Sequence, residues 1–272
     1  VLCNREIKFK VFLEHARDLG ADRMATGHYV RRDETSAGYR LLKGVDADKD
    51  QSYFLYMLDQ SQLACACFPV GEMQKGDLRS LAAESGLPTA SKKDSTGICF
   101  IGERNFDAFI DRYITSEAGE IRTVSQQLIG QHRGLIHYTL GQRRGLGIGG
   151  VRGFGEAPWF VVHKDLQNNR LFVTQDPNDE HLLSTRLTAR RLTWISGQAP
   201  DLSRPLAARI RYRQRDQAVR IVSSDAQTMT LEFDRPQRAV TPGQSVVLYD
   251  DDVCLGGGII ESSNRRLPED SA

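Results

Sequence analysis

The sequence predicts an α/β region that gives way to an all-β region folded as a small barrel or sandwich. Three observations carry this reading. Apolar residues recur at helical spacing near the start and feed a short apolar stretch ending at Gly27 and His28; the chain turns glycine-rich and strand-like from about residue 119; and short alternating stretches separated by Asp, Pro and Gly run from about 184 to 261. With 272 residues the chain exceeds one ordinary domain, so two or three compact units are expected.

The first helix is predicted over residues 7–19, where Phe9, Phe12, Leu13, Ala16 and Leu19 repeat at helical spacing and Gly20 supplies the stop. "ADRMATGHYV" then reads as a short buried strand. A helix feeding a strand that opens into a Gly-His turn is half of a βαβ unit, and α/β sheets bind ligands at such carboxyl ends. Gly27, lacking a Cβ, lets its backbone approach a nucleotide closely, although a glycine ending a strand more often serves only a turn. A second helix is predicted over "KGDLRSLAAESG", with Leu78, Leu81 and Ala82 on one face and Gly86 at its end. A third, "RNFDAFIDRYI", carries Phe106, Phe109, Ile110, Tyr113 and Ile114 on one stripe.

Beyond it lies "LIGQHRGLIHYTLGQRRGLGIGG". Gly141, Gly145, Gly147, Gly149 and Gly150 mark tight turns or a closely approached loop, without the Lys-Ser/Thr pair of a phosphate-binding P-loop; Arg143 and Arg144 suit RNA backbone. The alternating stretches that follow are "LAARIRYRQRD", "QAVRIVSS", "TMTLEFD" and "QSVVLYD". In the first, Arg209, Arg211, Arg213 and Arg215 alternate with Ile210, Tyr212 and Gln214, so strand geometry predicts four guanidinium groups on one face. Such a face is either a solvated edge that blocks aggregation or a phosphate-binding patch with an interleaved aromatic.

Composition narrows the classes. Hydrophobic content of 40% and charged content of 26% are those of a folded globular protein, and no run reaches the length of a membrane span. A net charge of +1 excludes a strongly basic coat for nucleic acid but permits a local patch. The five cysteines, Cys3, Cys65, Cys67, Cys99 and Cys254, form no CxxC pair, which favours a reducing, cytoplasmic setting over a disulfide scaffold or zinc knuckle. Cys65 and Cys67 sit in the apolar run "LACACFPV" and read as core. Cys99 differs: in "KKDSTGICFIG" it follows Lys92, Lys93, Asp94, Ser95 and Thr96, and nearby cations lower a thiol's pKa toward the reactive thiolate. The chain opens at Val1 rather than Met and reads as beginning inside a longer protein, so the lack of a targeting segment carries no weight.

Several stretches together resemble one family, the bacterial tRNA-specific 2-thiouridylases. They are "LCNREIKFK" from Leu2, "ATGHYVRR" from Ala25, "DKDQSYFLY" from Asp48, "KKDSTGICFIGER" from Lys92, "HYTLGQRRGLGIGG" from His137, "RYRQ" from Arg211 and "TPGQSVVLY" from Thr241, in family order over nearly the whole chain. The resemblance implies part of an ATP-pyrophosphatase-like, adenine-nucleotide-alpha-hydrolase-type α/β domain over 1–110, a central tRNA-contacting domain over 111–184 and a C-terminal β-barrel over 185–272. It implies ATP-dependent 2-thiolation of the wobble uridine, U34, of Glu, Gln and Lys tRNAs. ATP, accompanied by Mg2+, adenylates the C2 oxygen, and a persulfide on Cys99 delivers sulfur, with Cys3 as the second catalytic thiol.

Residue by residue, Gly27 matches an ATP-contacting glycine. His28, Lys49, Asp50, Gln51, Arg211, Tyr212 and Gln244 match tRNA-contacting positions; residues 49–51 also read as the capped start of a helix over "SYFLYML". The family partners implied are tRNA and a persulfide-relay donor protein, with no membrane and no metal held by the chain itself. The family's Ser-Gly-Gly-x-Asp-Ser-Ser pyrophosphate loop and its Asn-Pro-Asp before the first cysteine do not occur in the 272 residues, so this chain alone is expected to bind ATP poorly and not to complete the reaction. Two rival readings stay open: a non-catalytic tRNA-binding piece, which has no need of Cys99, and a thiol-disulfide redox protein, which ignores tRNA and ATP.

Overall fold

The structure, a computed structural model, describes residues 1–92 and 109–269. Cys99 and the predicted third helix as far as residue 108 lie outside the described residues. The described residues form two compact units. One takes in the residues before 93 with Thr188–Asp234 and Gly243–Glu261; the other takes in those from 109 to Leu187 with Arg235–Pro242 and the residues from Ser262 on.

In the first unit a wide-turned π-helix, Cys3–Phe12, runs into an α-helix, α1 (Leu13–Asp18). The pair begins before the apolar spacing does, because Asn4 is buried and held by a tertiary hydrogen bond rather than by an apolar stripe. Phe9 and Leu13 face inward. The predicted stop holds: Gly20 takes φ +86°, its N–H donates to the Arg17 carbonyl at 2.8 Å and that of Ala21 to Ala16 at 3.0 Å, the pairing of a Schellman closure. Strand β1 (Met24–Ala25) is followed by a hairpin, β2 (Val30–Thr35) and β3 (Gly38–Lys43), then by α2 (Ser52–Leu55) and α3 (Gln60–Cys65). Asp59 and Gln62 cap α3 reciprocally. Strand β4 (Ala66–Cys67) pairs parallel to β1, Met24 beside Ala66, which gives the α/β character; Cys65 packs into the core with Met24, Ala66 and Phe68. Helix α4 (Lys75–Glu84) ends at Gly86 as predicted, although no residue within it is buried and Leu81 is 51% exposed.

The second unit holds β5 (Gly119–Thr123), β6 (Leu128–His132), β7 (Phe160–Asp165) and β8 (Arg170–Thr174) in one sheet of order β6-β5-β8-β7, with β5 and β8 parallel. Ile121, Val161, Val162, Leu171, Phe172 and Val173 form its dry centre. The glycine-rich stretch between β6 and β7 contributes Leu135, Tyr138, Leu140 and Leu146 to that core.

The remaining strands are β9 (Leu183–Trp194), β10 (Leu206–Arg209), β11 (Gln217–Ser224), β12 (Thr228–Arg238), β13 (Ser245–Asp250) and β14 (Val253–Ser263). They run in the order β13-β10-β11-β12-β9-β14, and the pairing of β13 with β14 closes the ring, so the all-β region is a barrel rather than a sandwich. The hairpin from the start of the chain joins it: β3 pairs with β14, Leu41 opposite Cys254. One core therefore includes Leu41, Tyr53, Leu55, Tyr56 and Leu63 from the early residues with Ile195, Val247 and Tyr249 from the barrel. Full burial of each large apolar side chain contributes roughly 1.5–3 kcal/mol.

The predicted strand "LAARIRYRQRD" is corrected. It ends at Arg209, and the chain then turns: the Gln214 carboxamide accepts from the Ile210 N–H at 2.8 Å and Arg213 takes φ +66°. The four arginines therefore do not share one strand face. Among the described residues no helix is long and apolar enough to cross a membrane.

Candidate active site

Cys3 lies half-buried in the first turn of its helix. Two side chains fix that turn. Asn4 Nδ2 donates to the Phe54 carbonyl in α2 at 3.2 Å, and Gln62 Nε2 from α3 donates to the Arg5 carbonyl at 3.3 Å. Two turns further along, the Phe9 ring stands 5.9 Å from the His28 ring and 6.1 Å from that of Phe68. The helix that carries the first candidate thiol thus rests on both the α2 segment and the turn after β1.

That turn holds Gly27 and His28. Gly27 is exposed, and the place where a side chain would stand is open. His28 is buried, its Nδ1 2.9 Å from Thr26 Oγ1. Burial, helped by the Lys8 charge, pulls its pKa down to about 4, so the imidazole is neutral at physiological pH. Next to it Tyr29 is gripped by Gln51: the Tyr29 N–H donates to Gln51 Oε1 at 3.1 Å, and the Gln51 N–H donates to the Tyr29 carbonyl at 3.0 Å.

Residues 49–51 form the lead into α2. Asp50 is 4% exposed, and its carboxylate accepts from the Gly44 N–H at 3.2 Å, the Ser52 N–H at 3.0 Å, Ser52 Oγ at 2.9 Å and Arg209 Nη1 at 2.6 Å. The predicted capping role belongs to this side chain, since the Gln51 side chain makes no cap bond. Lys49 is half-buried, and its N–H donates to the Asp46 carbonyl at 3.0 Å. Neither the His28 ring nor the Asp50 carboxylate faces solvent among the described residues.

From the barrel, the turn after β10 presents Arg211 and Tyr212, both half-buried. The Tyr212 ring lies 4.4 Å from that of Phe54, and the Arg213 guanidinium stands 5.3 Å from the Tyr212 ring. Tyr53 Oη donates to the Ser245 carbonyl at 2.8 Å, beside Gln244, whose own carbonyl accepts from Ile260 at 2.7 Å. A continuous run of contacts, Asn4 to Phe54 to Tyr212, therefore links the Cys3 helix, the α2 segment and the barrel turn. Gln51 and Phe9 bring Gly27 and His28 to the same place. Of the residues singled out from sequence, Cys3, Gly27, His28, Lys49, Asp50, Gln51, Arg211, Tyr212 and Gln244 share this unit, and Cys99 lies outside the described residues. Sequence reasoning missed Phe54 and gave Arg209 no structural part. Nothing local in the chain signals a contact with a partner some 160 positions away (|i−j| = 159).

The chain matches three family models in order: the tRNA methyl transferase HUP domain over residues 1–103, the tRNA methyl transferase PRC-barrel domain over 107–175 and the aminomethyltransferase beta-barrel domain over 184–260. It is 54% identical to the tRNA-specific 2-thiouridylase MnmA of Nitrosomonas eutropha, over 97% of this chain and 73% of that protein. It is 55% identical to the protein of the same name from Thiobacillus denitrificans, over 96% of this chain and 73% of that one. Against that of Pseudomonas putida it is 52% identical, over 98% and 71%. At such identity over nearly its whole length, the chain belongs to the tRNA-specific 2-thiouridylase family.

Proposed function

We propose that the full-length protein is a tRNA-uridine 2-sulfurtransferase that converts U34 of tRNA to 2-thiouridine. The observation that carries this reading is the run of contacts from the Cys3 helix through Phe54 to Tyr212, which gathers a thiol, a strand-end glycine and a basic-aromatic turn in one unit. Family membership supplies the reaction. The division of labour proposed is catalysis in residues 1–110, tRNA contact in 111–184 and a tRNA-gripping barrel in 185–272.

When bound, ATP with Mg2+ supplies the adenylyl group that makes the uridine C2 oxygen a leaving group. Gly27 fits such a ligand: its backbone is exposed just past the carboxyl end of β1, and among the described residues no side chain stands over it. Lys49 and Gln51 shape the surface beside it, with His28 and Asp50 as the buried supports of the tRNA-contacting segments, and Arg211, Tyr212 and Gln244 hold tRNA from the barrel. Tyr212, its ring tilted against Phe54, offers an aromatic face, and Arg211 and Arg213 offer charge for phosphate.

Cys99 carries the incoming sulfur as a persulfide received from a relay protein. Its terminal sulfur bonds to C2, and AMP departs with the C2 oxygen. The Cys3 thiolate attacks Cys99 Sγ, the bond to the terminal sulfur breaks, and a Cys3–Cys99 disulfide remains, which an external thiol reduces before the next cycle. The reducing setting that this requires accords with a cytoplasmic protein.

The test is direct. Full-length protein, unmodified tRNA, ATP and a persulfide donor are incubated, and the digested nucleosides are read by mass spectrometry. ATP-dependent 2-thiouridine that disappears with Cys99→Ser and with Cys3→Ser is the expected result. Absence of 2-thiouridine beside a working control enzyme overturns the proposal.

A further inference from the structure

Arg209 belongs to the barrel segment from which an RNA-facing strand was expected. Its side chain is 12% exposed and lies between two carboxylates, Nη1 2.6 Å from Asp50 Oδ2 and Nε 2.6 Å from Asp216 Oδ1. The Asp50 side chain is 1% exposed. Lys43, from β3, pairs with the other oxygen of Asp216, and its Nζ donates to the Asp251 carbonyl at 2.6 Å. Arg209 and Lys43 each stand 4.8 Å from the centre of the Tyr249 ring, and the Tyr249 hydroxyl lies 3.2 Å from Ser52 Oγ. Every member of this cluster belongs to the same compact unit.

The position of Arg209 in the chain gives the cluster a consequence. Arg209 is the last residue of β10, and the turn that presents Arg211 and Tyr212 begins at the next residue. Asp50 stands between Lys49 and Gln51 and ties the loop to both Gly44 and Ser52. One guanidinium therefore joins the two segments to which the proposed function assigns tRNA. We infer that Arg209 is a positioning residue: through Asp50 it holds the 49–51 loop in register with the Arg211–Tyr212 turn, and it touches no phosphate itself. This inference rests on the proposed tRNA-thiolating function.

The bidentate use of Arg209, one nitrogen to each carboxylate, is something a lysine ammonium reproduces only in part. Loss of its charge leaves the Asp50 carboxylate buried against neutral donors alone, and the loop shifts to rehydrate it.

The test uses the full-length enzyme with Arg209→Gln, Arg209→Lys and the double variant Asp50→Asn/Arg209→Gln, which keeps a neutral hydrogen-bonded pair. The measurements are the tRNA Kd as a function of salt, KM for tRNA and for ATP, and the melting temperature. Arg209→Gln is expected to weaken tRNA binding about tenfold, to leave KM for ATP unchanged, and to keep the wild-type slope of log Kd against log salt. Arg209→Lys falls between, and the double variant recovers most of the affinity. Should Arg209→Gln fail to fold, Arg209→Lys and the double variant carry the same comparison.

An unchanged tRNA Kd with only a lower melting temperature overturns the inference in favour of a merely structural pair. A salt slope reduced by about one overturns it in favour of a direct phosphate contact. If the wild type itself neither binds tRNA nor forms 2-thiouridine, the proposed function fails first and the inference falls with it, a result distinct from variants that match an active wild type.

Discussion

Two charge clusters, one in each compact unit, are held in opposite ways. In the first, Arg209, Asp50, Asp216 and Lys43 meet as ion pairs around the Tyr249 ring. In the second, two half-buried cations lean on carbonyl oxygens. Lys164 Nζ donates to the Leu135 and Tyr138 carbonyls at 3.2 and 3.1 Å, and Arg265 donates to the Val162 carbonyl at 2.7 Å and lies 3.0 Å from His163 Nδ1. Neither has a carboxylate partner among the described residues. The pKa directions follow. Burial pulls Lys164 and Arg265 below their ordinary values, whereas at Arg209 burial is outweighed by Tyr249, Asp216 and Asp50 and the pKa rises. Both kinds of contact join segments far apart in the chain, Arg209 to Asp50 and Arg265 to Val162, but at Arg209 an opposite charge offsets the cost of burial, whereas at Lys164 and Arg265 neutral carbonyls do not.

The largest way to break that contrast is Asp50→Ala. It leaves Arg209 with one carboxylate and removes an acceptor from the Gly44 and Ser52 amides, so the expected loss is about 3–5 kcal/mol in denaturant unfolding, the range for breaking a buried pair from one side. A loss below about 1 kcal/mol would place this cluster with ordinary surface pairs.

The same contrast marks what was legible in the sequence. Local signals were read well: Gly20 and Gly86 end their helices, Met24 and Ala25 form a strand, Cys65 lies in the core, and the later strands close a barrel. Contacts between distant segments were not. The hairpin of β2 and β3 joins the barrel through β14, and no period or motif within residues 30–43 announces its partner. "RIRYRQR" contains neither Gly nor Pro and alternates like a strand, yet the Gln214 side chain and the left-handed Arg213 backbone turn it after Arg209. The site followed suit: motif residues were found one by one, while Phe54 and the Asp50–Arg209 pair, which join them, became visible only in three dimensions.

Acid sharpens the comparison at the next scale. His28 in the first unit and His163 in the second both have pKa values near 4, His28 through burial and then Lys8, His163 through burial and then chiefly Arg265. A depressed histidine pKa means that the unfolded chain takes up a proton first, at about 6.5. The stability from each neutral ring is therefore fully present above that pH and is lost as pH falls from about 6.5 toward 4. For the well-buried His28 the loss approaches 3 kcal/mol on the order of magnitude. His163 is more open to solvent and contributes less. In unfolding measured between pH 7 and 4, His28→Gln is expected to lose less stability than wild type, by up to about 3 kcal/mol, and a smaller difference is expected in His163→Gln; equal slopes in wild type and His28→Gln would remove the assigned cause.

The smallest expected effect lies at Lys164. Lys164→Met keeps the side-chain length, removes a cation that burial already disfavours, and leaves two carbonyls that the 3₁₀ turn and loop around Leu135 and Tyr138 can turn toward water or other donors. The desolvation relieved and the hydrogen bonds lost are of similar size, so stability should change by no more than about 1 kcal/mol in either direction. Denaturant unfolding of Lys164→Met beside Asp50→Ala makes the comparison quantitative. A loss of about 3 kcal/mol or more at Lys164 would mean that its ammonium holds its cluster as firmly as Arg209 holds the other, and the distinction between paired and carbonyl-held charge would no longer separate the two clusters.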